Sequence, residues 1–147
     1  MYDSSNYRKE KPMTIEGIDH IVIAVRNLDE AIVNYRDNLG LTVGESELGA
    51  NGTRATKFEL GDGRFLELAE PSATDTPVGQ TLERRGGGVH LIALRVTNME
   101  TAIENYRSKG IQVIVDGAEI TTSTKPQVFL HPRSTNGVLI ELVEHTE

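Results

Sequence analysis

The chain contains two related halves, and this restricts it to folds built from a duplicated unit. Residues 21–36 (IVIAVRNLDEAIVNYR) align without a gap with residues 92–107 (IALRVTNMETAIENYR), and eight of the sixteen positions are identical. The segment LELAE at 66–70 recurs as IELVE at 140–144. Each half therefore predicts a strand, a helix and further strands, and equivalent positions should face equivalent space.

Turn and cap signals divide the chain into segments. Asp62-Gly63 predicts a tight hairpin turn in the first half, and Asn136-Gly137 predicts one in the second. The fold class is therefore α+β, with two βαβββ modules. The predicted segments are a disordered tail at 1–14, a first module at 15–71, a linker with a short helix at 72–88, and a second module at 89–147.

The first predicted helix has an apolar stripe with the 3.6-residue period of an amphipathic helix. We expect this stripe to pack on the sheet and the helix to end at Gly40. The residues of the stripe are Ala31, Ile32, Tyr35 and Leu39.

Composition excludes several classes of partner and site. A net charge of −7 argues against nucleic acid and anionic membranes. The absence of cysteine excludes disulfides, thiol nucleophiles and thiolate metal sites, and it is compatible with a cytoplasmic location. No apolar run approaches the ~20 residues of a membrane span, and the first residues lack the apolar core of a signal peptide. We therefore expect a small molecule as the partner.

Strand alternation predicts a site on the uncovered face of the sheet. Because successive side chains point to opposite faces, His20, Glu67 and Glu141 should share the concave face, while their neighbours pack under the helices. A carboxylate inside an apolar strand is costly unless a cation meets it. One imidazole and two carboxylates suit a divalent metal such as Mn, Co, Ni, Zn or Fe(II), with open positions for water or substrate.

Several segments resemble the vicinal oxygen chelate (glyoxalase/bleomycin resistance) superfamily, and within it most closely the methylmalonyl-CoA epimerases. These segments are IDHIVIAV, LELAEP, GVHLIALRV and FLHPRSTNGVLIEL. The resemblance implies a cup-shaped mixed sheet around a metal. It also implies four ligand positions, which in this chain are His20, Glu67, Leu91 and Glu141.

Leu91 departs from the superfamily pattern. The epimerases have two adjacent histidines in the second module, and the second of them is the ligand, whereas this chain reads His90-Leu91. Regular alternation would turn His90 toward the helix side. A one-residue bulge would bring it into the site as an alternative ligand, but nothing in the local sequence demands one. The sequence therefore leaves open whether a metal binds.

The resemblance implies an isomerase, namely a metal-assisted epimerase or racemase acting α to a carbonyl, with an acyl-CoA thioester such as methylmalonyl-CoA as a candidate substrate. Glu141 would inherit an acid/base role. The second acid/base is not identified, and Glu45, Glu47 and Glu59 are candidates by position only. Arg95 alternates onto the face of Leu91 and is a candidate for pairing a substrate carboxylate.

Two other functions share the same scaffold. Leu91 favours a metal-poor protein that binds or sequesters a small molecule. A lyase of the glyoxalase type is the third alternative, whereas a glutamate in each module argues against the two-histidine, one-carboxylate set of many oxygenases. Many members of the superfamily form dimers. An exposed sheet edge would be compatible with a homodimer of this chain as well.

Overall fold

The structure, a computed structural model, describes residues 12–116 and 127–145. Within these ranges the chain forms three α-helices and eight β-strands. The helices are α1 (Leu28–Val33), α2 (Pro77–Arg85) and α3 (Met99–Ser108). The strands are β1 (Ile15–Ala24), β2 (Thr42–Leu48), β3 (Arg54–Gly61), β4 (Arg64–Glu70), β5 (Gly88–Val96), β6 (Val113–Asp116), β7 (Gln127–Leu130) and β8 (Ile140–Glu144).

The strands form one mixed sheet in the order β2-β3-β4-β1-β5-β8-β7-β6. β1 runs parallel to β4, and β5 runs parallel to β8. The two modules therefore have the same internal strand order, and they join where β1 pairs antiparallel with β5. This arrangement confirms the predicted α+β fold and the duplication from which it was inferred.

Helices α1 and α3 cover one face of the sheet, as strand alternation predicted. In the first module, Leu28 and Ala31 of α1 pack against Phe58 and Leu68 of the sheet. In the second module, α3 packs its Ala102 against an equivalent cluster. The other residues of these two cores are Ile23, Val25, Ile32, Tyr35, Leu41, Leu66, Met13, Leu94, Val96, Met99, Ile103, Tyr106, Ile111, Val113, Val128, Leu130, Ile140 and Leu142.

One residue of the predicted helical stripe does not join the core. Leu39 is 63% exposed because α1 continues into a π-helix at Asn34–Asn38. A π-turn closes i→i+5 hydrogen bonds, and here the N–H of Leu39 donates to the carbonyl of Asn34 at 3.0 Å. The wider turn rotates Leu39 away from the sheet, and Leu41 packs on the core in its place.

The second module also includes residues that the sequence assigned to the tail. Of the predicted tail at 1–14, residues 1–11 lie outside the described ranges. Met13 packs against the core of the second module, and the N–H of Thr14 donates to Oγ1 of Thr97 at 2.9 Å. No helix in the described parts of the chain is long and apolar enough to span a membrane.

Candidate active site

A cavity of about 620 Å³ opens on the face of the sheet opposite α1 and α3. Its volume lies within the range of ordinary small-molecule sites. Both modules and α2 contribute to its wall. The polar residues of the wall are His20, Glu47, Asn51, Thr53, Lys57, Glu67, His90, Asp116, Gln127 and Glu141, and the larger apolar ones are Val22, Phe65, Val78, Leu91, Ile114, Phe129 and Leu139.

His20 and Glu141 meet across the junction of the two modules. The strand register aligns Phe65, His20, Ala93 and Glu141 in one row across β4, β1, β5 and β8. Ala93 is fully buried and small, so the imidazole can reach over it. His20 Nε2 lies 3.3 Å from Glu141 Oε1. The site therefore depends on a small residue between two functional ones.

The His20 ring is fixed on its other sides as well. Its Nδ1 lies 2.6 Å from Oδ2 of Asp19. The Phe65 ring stacks on the imidazole with a centroid separation of 4.4 Å and an interplanar angle of 7°. These contacts orient Nε2 toward Glu141 and the cavity.

Arg95 holds Asp19 from the opposite side. Its Nε donates to Asp19 Oδ1 at 2.7 Å, and its Nη2 donates to the carbonyl of Asp62 in the β3–β4 hairpin at 2.5 Å. Arg95 is 3% exposed and is absent from the described cavity wall. This placement gives no support to the expectation that Arg95 binds a substrate carboxylate, because its guanidinium is already committed to Asp19 and the hairpin.

The electrostatics of Asp19 and His20 follow from this chain of contacts. Burial opposes ionisation of Asp19, but its hydrogen bonds with His20 and Arg95 outweigh burial and lower its pKa. Burial likewise disfavours the imidazolium of His20, but hydrogen bonds to Glu141 and Asp19 outweigh it and raise the pKa. A carboxylate that fixes the tautomer of a histidine in this way is the usual outer partner of a histidine ligand.

Glu67 lies in the next row of the sheet. The register places Lys57, Glu67, Val22 and Leu91 side by side across β3, β4, β1 and β5. Burial is the main cause that raises the pKa of Glu67, and it outweighs the opposing charges of His20 and Lys57. Glu67 is thus a half-buried carboxylate with incomplete cationic compensation on the cavity wall.

A bulge in β5 changes the expected position of His90. Val22 pairs with Leu91 and Ile23 with Val89, which leaves His90 as the extra residue of β5. A bulge re-aims side chains, so His90 and Leu91 both line the cavity. His90 Nδ1 lies 2.7 Å from Thr81 Oγ1 of α2. Burial, with a smaller effect of Arg85, lowers the pKa of His90.

The side chains at this site are of the types that bind a divalent metal, but they are not spaced as a metal site requires. His20 Nε2 and the carboxylates of Glu67 and Glu141 are suitable ligands, and Asp19 supports the imidazole from behind. Within the described ranges, however, no three acidic or histidine side chains are grouped closely enough to hold an ion as they stand. Leu91 adds an apolar side chain at the position that the resemblance assigns to a fourth ligand.

Two residues of the site escaped the sequence analysis. Lys57 lies on β3, on the same strand face as Ala55, and both residues line the cavity. Period-two alternation alone would have placed Lys57 there. Asp19 lies at an irregularity in the β1–β5 register, between the pairs of Ile18 and His20, so regular alternation would have turned it toward the helices. Of the three positional candidates for a second acid/base, Glu47 alone is among the described residues of the cavity wall.

The family model for the glyoxalase-like domain matches residues 18–137. Mitochondrial methylmalonyl-CoA epimerase of Mus musculus is 33% identical over 141 residues, which cover 94% of this chain and 79% of that protein. The methylmalonyl-CoA epimerase structure from Mycobacterium tuberculosis superposes with a TM-score of 0.78 at 32% identity and covers 90% of each chain.

A point variant of Streptomyces coelicolor methylmalonyl-CoA epimerase, in complex with 2-nitronate-propionyl-CoA, superposes with a TM-score of 0.77 at 33% identity. This match covers 91% of the present chain and all (100%) of the other. The domain match spans most of the chain, and the relatives agree with it in sequence and fold. The chain therefore belongs to the glyoxalase-like domain family of the vicinal oxygen chelate superfamily, with the methylmalonyl-CoA epimerases as close relatives.

Proposed function

We propose that this protein is an epimerase that inverts the configuration at the carbon α to the carbonyl of an acyl-CoA thioester, with methylmalonyl-CoA as the first substrate to test. One observation carries the proposal. His20, Glu67 and Glu141 come from three strands of both modules and line one cavity in a chain whose relatives are named as such epimerases. The relatives thus favour the isomerase interpretation over the lyase alternative.

Inversion requires a proton to leave one face of the α-carbon and another to arrive on the opposite face. Glu67 on β4 and Glu141 on β8 occupy equivalent positions in the two modules, on opposite sides of the β1–β5 pairing. We assign these carboxyl groups as the acid/base pair. The raised pKa of Glu67, caused mainly by burial, brings it closer to the working pH of a general acid or base. His20 Nε2 lies 3.3 Å from Glu141 Oε1, so the imidazole is positioned to orient this carboxyl group.

Membership of this superfamily supports a divalent metal as the general type of cofactor. In this chain His20 Nε2, Glu67 and Glu141 would hold it. A bound metal supplies a Lewis acid that stabilises negative charge on the thioester oxygen. The identity of the metal, among Co, Mn, Ni, Zn and Fe, stays a proposal, as does His90 as an alternative ligand.

The experiment is hydrogen–deuterium exchange at C2 of methylmalonyl-CoA in D₂O, followed by mass spectrometry. We expect exchange with the wild-type protein and a loss of about 100-fold or more in Glu141→Gln, because positioned acid/base groups contribute about that much. Glu144→Gln is the matched control, since Glu144 lies on the same strand and is exposed. No exchange at high concentrations of the wild-type protein would remove this function.

Glu67→Gln separates the two roles open to Glu67. The amide keeps an oxygen that can ligate a metal but cannot take up a proton. If Glu67 acts as an acid/base, this variant loses exchange while it keeps its bound metal. If Glu67 acts as a ligand alone, most of the exchange survives.

Leu91 favours one alternative, a protein that binds an acyl-CoA without turning it over. Its buried side chain packs with Val22 and Ala93 beside the cavity and donates nothing to a metal. Metal analysis of protein purified without chelator separates the two functions. A metal-free protein that binds the thioester but shows no exchange would favour sequestration.

A homodimer and a cytoplasmic location also stay proposals. β2 is an edge strand, and its Val43 and Leu48 are exposed. An exposed apolar edge is a template for pairing with another chain. Light scattering across a range of protein concentrations would measure the oligomeric state.

A further inference from the structure

The charge on the cavity wall is unfavourable to an anionic substrate. Four carboxylates line the described wall, namely Glu47, Glu67, Asp116 and Glu141. A divalent metal held by Glu67 and Glu141 would balance only those two charges. A substrate that carries its own carboxylate at the α-carbon would still meet repulsion from Glu47 and Asp116 unless a further cation offsets it. Arg95, the cation that the sequence singled out for this purpose, is committed to Asp19.

Lys57 is the one Lys or Arg side chain among the described residues of this wall. Its Nζ lies 4.6 Å above the centroid of the Phe65 ring, the same ring that stacks on His20. Cross-strand pairing places Lys57 directly opposite Glu67, and directly paired residues have their Cβ atoms about 5 Å apart. Lys57 is therefore the cross-strand neighbour of one of the two proposed acid/base groups, and its charge acts on Glu67.

The present partner of Lys57 is easily replaced. Lys57 Nζ lies 3.4 Å from Glu47 Oε1, but the Glu47 side chain is 54% exposed and that of Lys57 is 24% exposed. A pair with one well-solvated member contributes little to stability. The ammonium is also a flexible point charge with three donors, so an incoming carboxylate can take the place of Glu47 at little cost.

We propose that Lys57 binds the carboxylate on the α-carbon of the substrate, and that it thereby selects 2-carboxyacyl-CoA thioesters over acyl-CoA thioesters that lack this group. The inference rests on the proposed function and adds the residue that recognises the carboxylate of the substrate. In such a substrate the carboxylate and the exchanging proton are attached to the same carbon. A residue that holds the carboxylate must therefore lie next to the acid/base group, and Lys57 lies next to Glu67.

The test compares two ligands and four proteins by calorimetry. The ligands are methylmalonyl-CoA, which carries the carboxylate, and propionyl-CoA, which lacks it. The proteins are the wild type, Lys57→Met, Lys57→Arg and Lys109→Met, in which Lys109 is an exposed residue at the end of α3. We expect Lys57→Met to weaken methylmalonyl-CoA binding about tenfold or more, as for a lost charged hydrogen bond, with propionyl-CoA binding nearly unchanged.

Lys57→Arg should restore most of the preference, and Lys109→Met should behave as the wild type. If Lys57→Met weakens both ligands equally, Lys57 is a structural residue and the inference is wrong. If neither ligand is affected, it is wrong as well. Failure of the proposed function looks different, because the wild-type protein would then show no deuterium exchange at C2.

Discussion

Asp19 and His20, neighbours in the chain, are joined side chain to side chain by a hydrogen bond of 2.6 Å between Oδ2 and Nδ1. Neighbouring residues in a regular strand point to opposite faces, so this bond depends on the irregular register of β1 at Asp19. Arg95 completes the arrangement by holding the second carboxylate oxygen. Two residues outside the cavity wall, Asp19 and Arg95, therefore help Phe65 to orient the imidazole.

Asp19→Asn should lower the pKa of His20 and slow the exchange reaction. The substitution removes a negative charge whose hydrogen bond and field favour the imidazolium. Outer partners of functional histidines typically contribute about 10- to 100-fold to activity or metal affinity, and we expect a loss of that size. NMR titration of the His20 ring, with the exposed His145 as internal reference, measures the pKa. An unchanged titration curve would contradict this prediction.

Arg95→Met should destabilise the fold by about 3–5 kcal/mol, because it leaves the buried carboxylate of Asp19 without its cationic partner. Arg36→Met is the matched control, since Arg36 pairs with Asp37 on the surface, where both side chains are about half exposed. An exposed pair is screened by solvent and contributes little to stability. Urea unfolding measures the loss in the free energy of unfolding for both variants. Losses of equal size would show that the buried contact with Asp19 stabilises the fold no more than the exposed pair does.

His20 should make stability depend on pH in a predictable direction. Its pKa is raised in the folded protein, so its contribution is fully present below the unfolded value of about 6.5 and is lost as the pH rises through the folded value. The free energy of unfolding of the wild type should therefore approach that of His20→Phe between pH 6 and pH 9. A difference that grows with pH would reverse the assigned sign.

Asp19 should also make stability depend on pH, but its contribution should be lost as the pH falls. Its pKa is lowered in the folded protein, so its contribution is present above the unfolded value of about 3.9 and is lost as the pH falls through the folded value. The stability difference between the wild type and Asp19→Asn should therefore shrink in acid. Unfolding measured from pH 6 down to pH 3 checks this, and a constant difference would contradict it.

Leu91→His should tighten the binding of Co²⁺ by about tenfold or more, since it adds an imidazole ligand beside His20, Glu67 and Glu141. Leu91 pairs with Val22, which in turn lies beside Glu67. Calorimetry on the wild type, Leu91→His and the exposed control Leu60→His measures the gain. Equal affinity in all three proteins would mean that position 91 does not face a metal site in this chain.

The sequence predicted most of the fold because its signals are local. A short helix was predicted within the linker at 72–88 and is found at Pro77–Arg85. Thr76 caps its first turn, and Gly86 ends it with a positive φ of 76°. The Asp62-Gly63 hairpin is confirmed, with positive φ at both residues. The prediction that Leu39 packs on the sheet was wrong, because a switch from α- to π-helix leaves no clear mark in the periodicity of apolar residues.

The site was predictable only where strands are regular. Alternation placed His20, Glu67 and Glu141 on the uncovered face, and all three line the cavity. It failed at Asp19 and His90, because each lies where β1 and β5 lose register. Such bulges arise from the pairing of two distant strands, so a single strand's sequence does not contain them.

Because β1 and β5 join the two halves at the cavity, neither half of the chain contains a complete binding site. His20 and Glu67 belong to the first half of the chain, while Ala93 and Glu141 belong to the second, and the cavity lies across the line where the halves meet. A cut in the linker would leave two fragments, each with half a binding site and a newly bared strand edge. The ancestral unit implied by the duplication would thus have needed a second copy of itself to make a complete site.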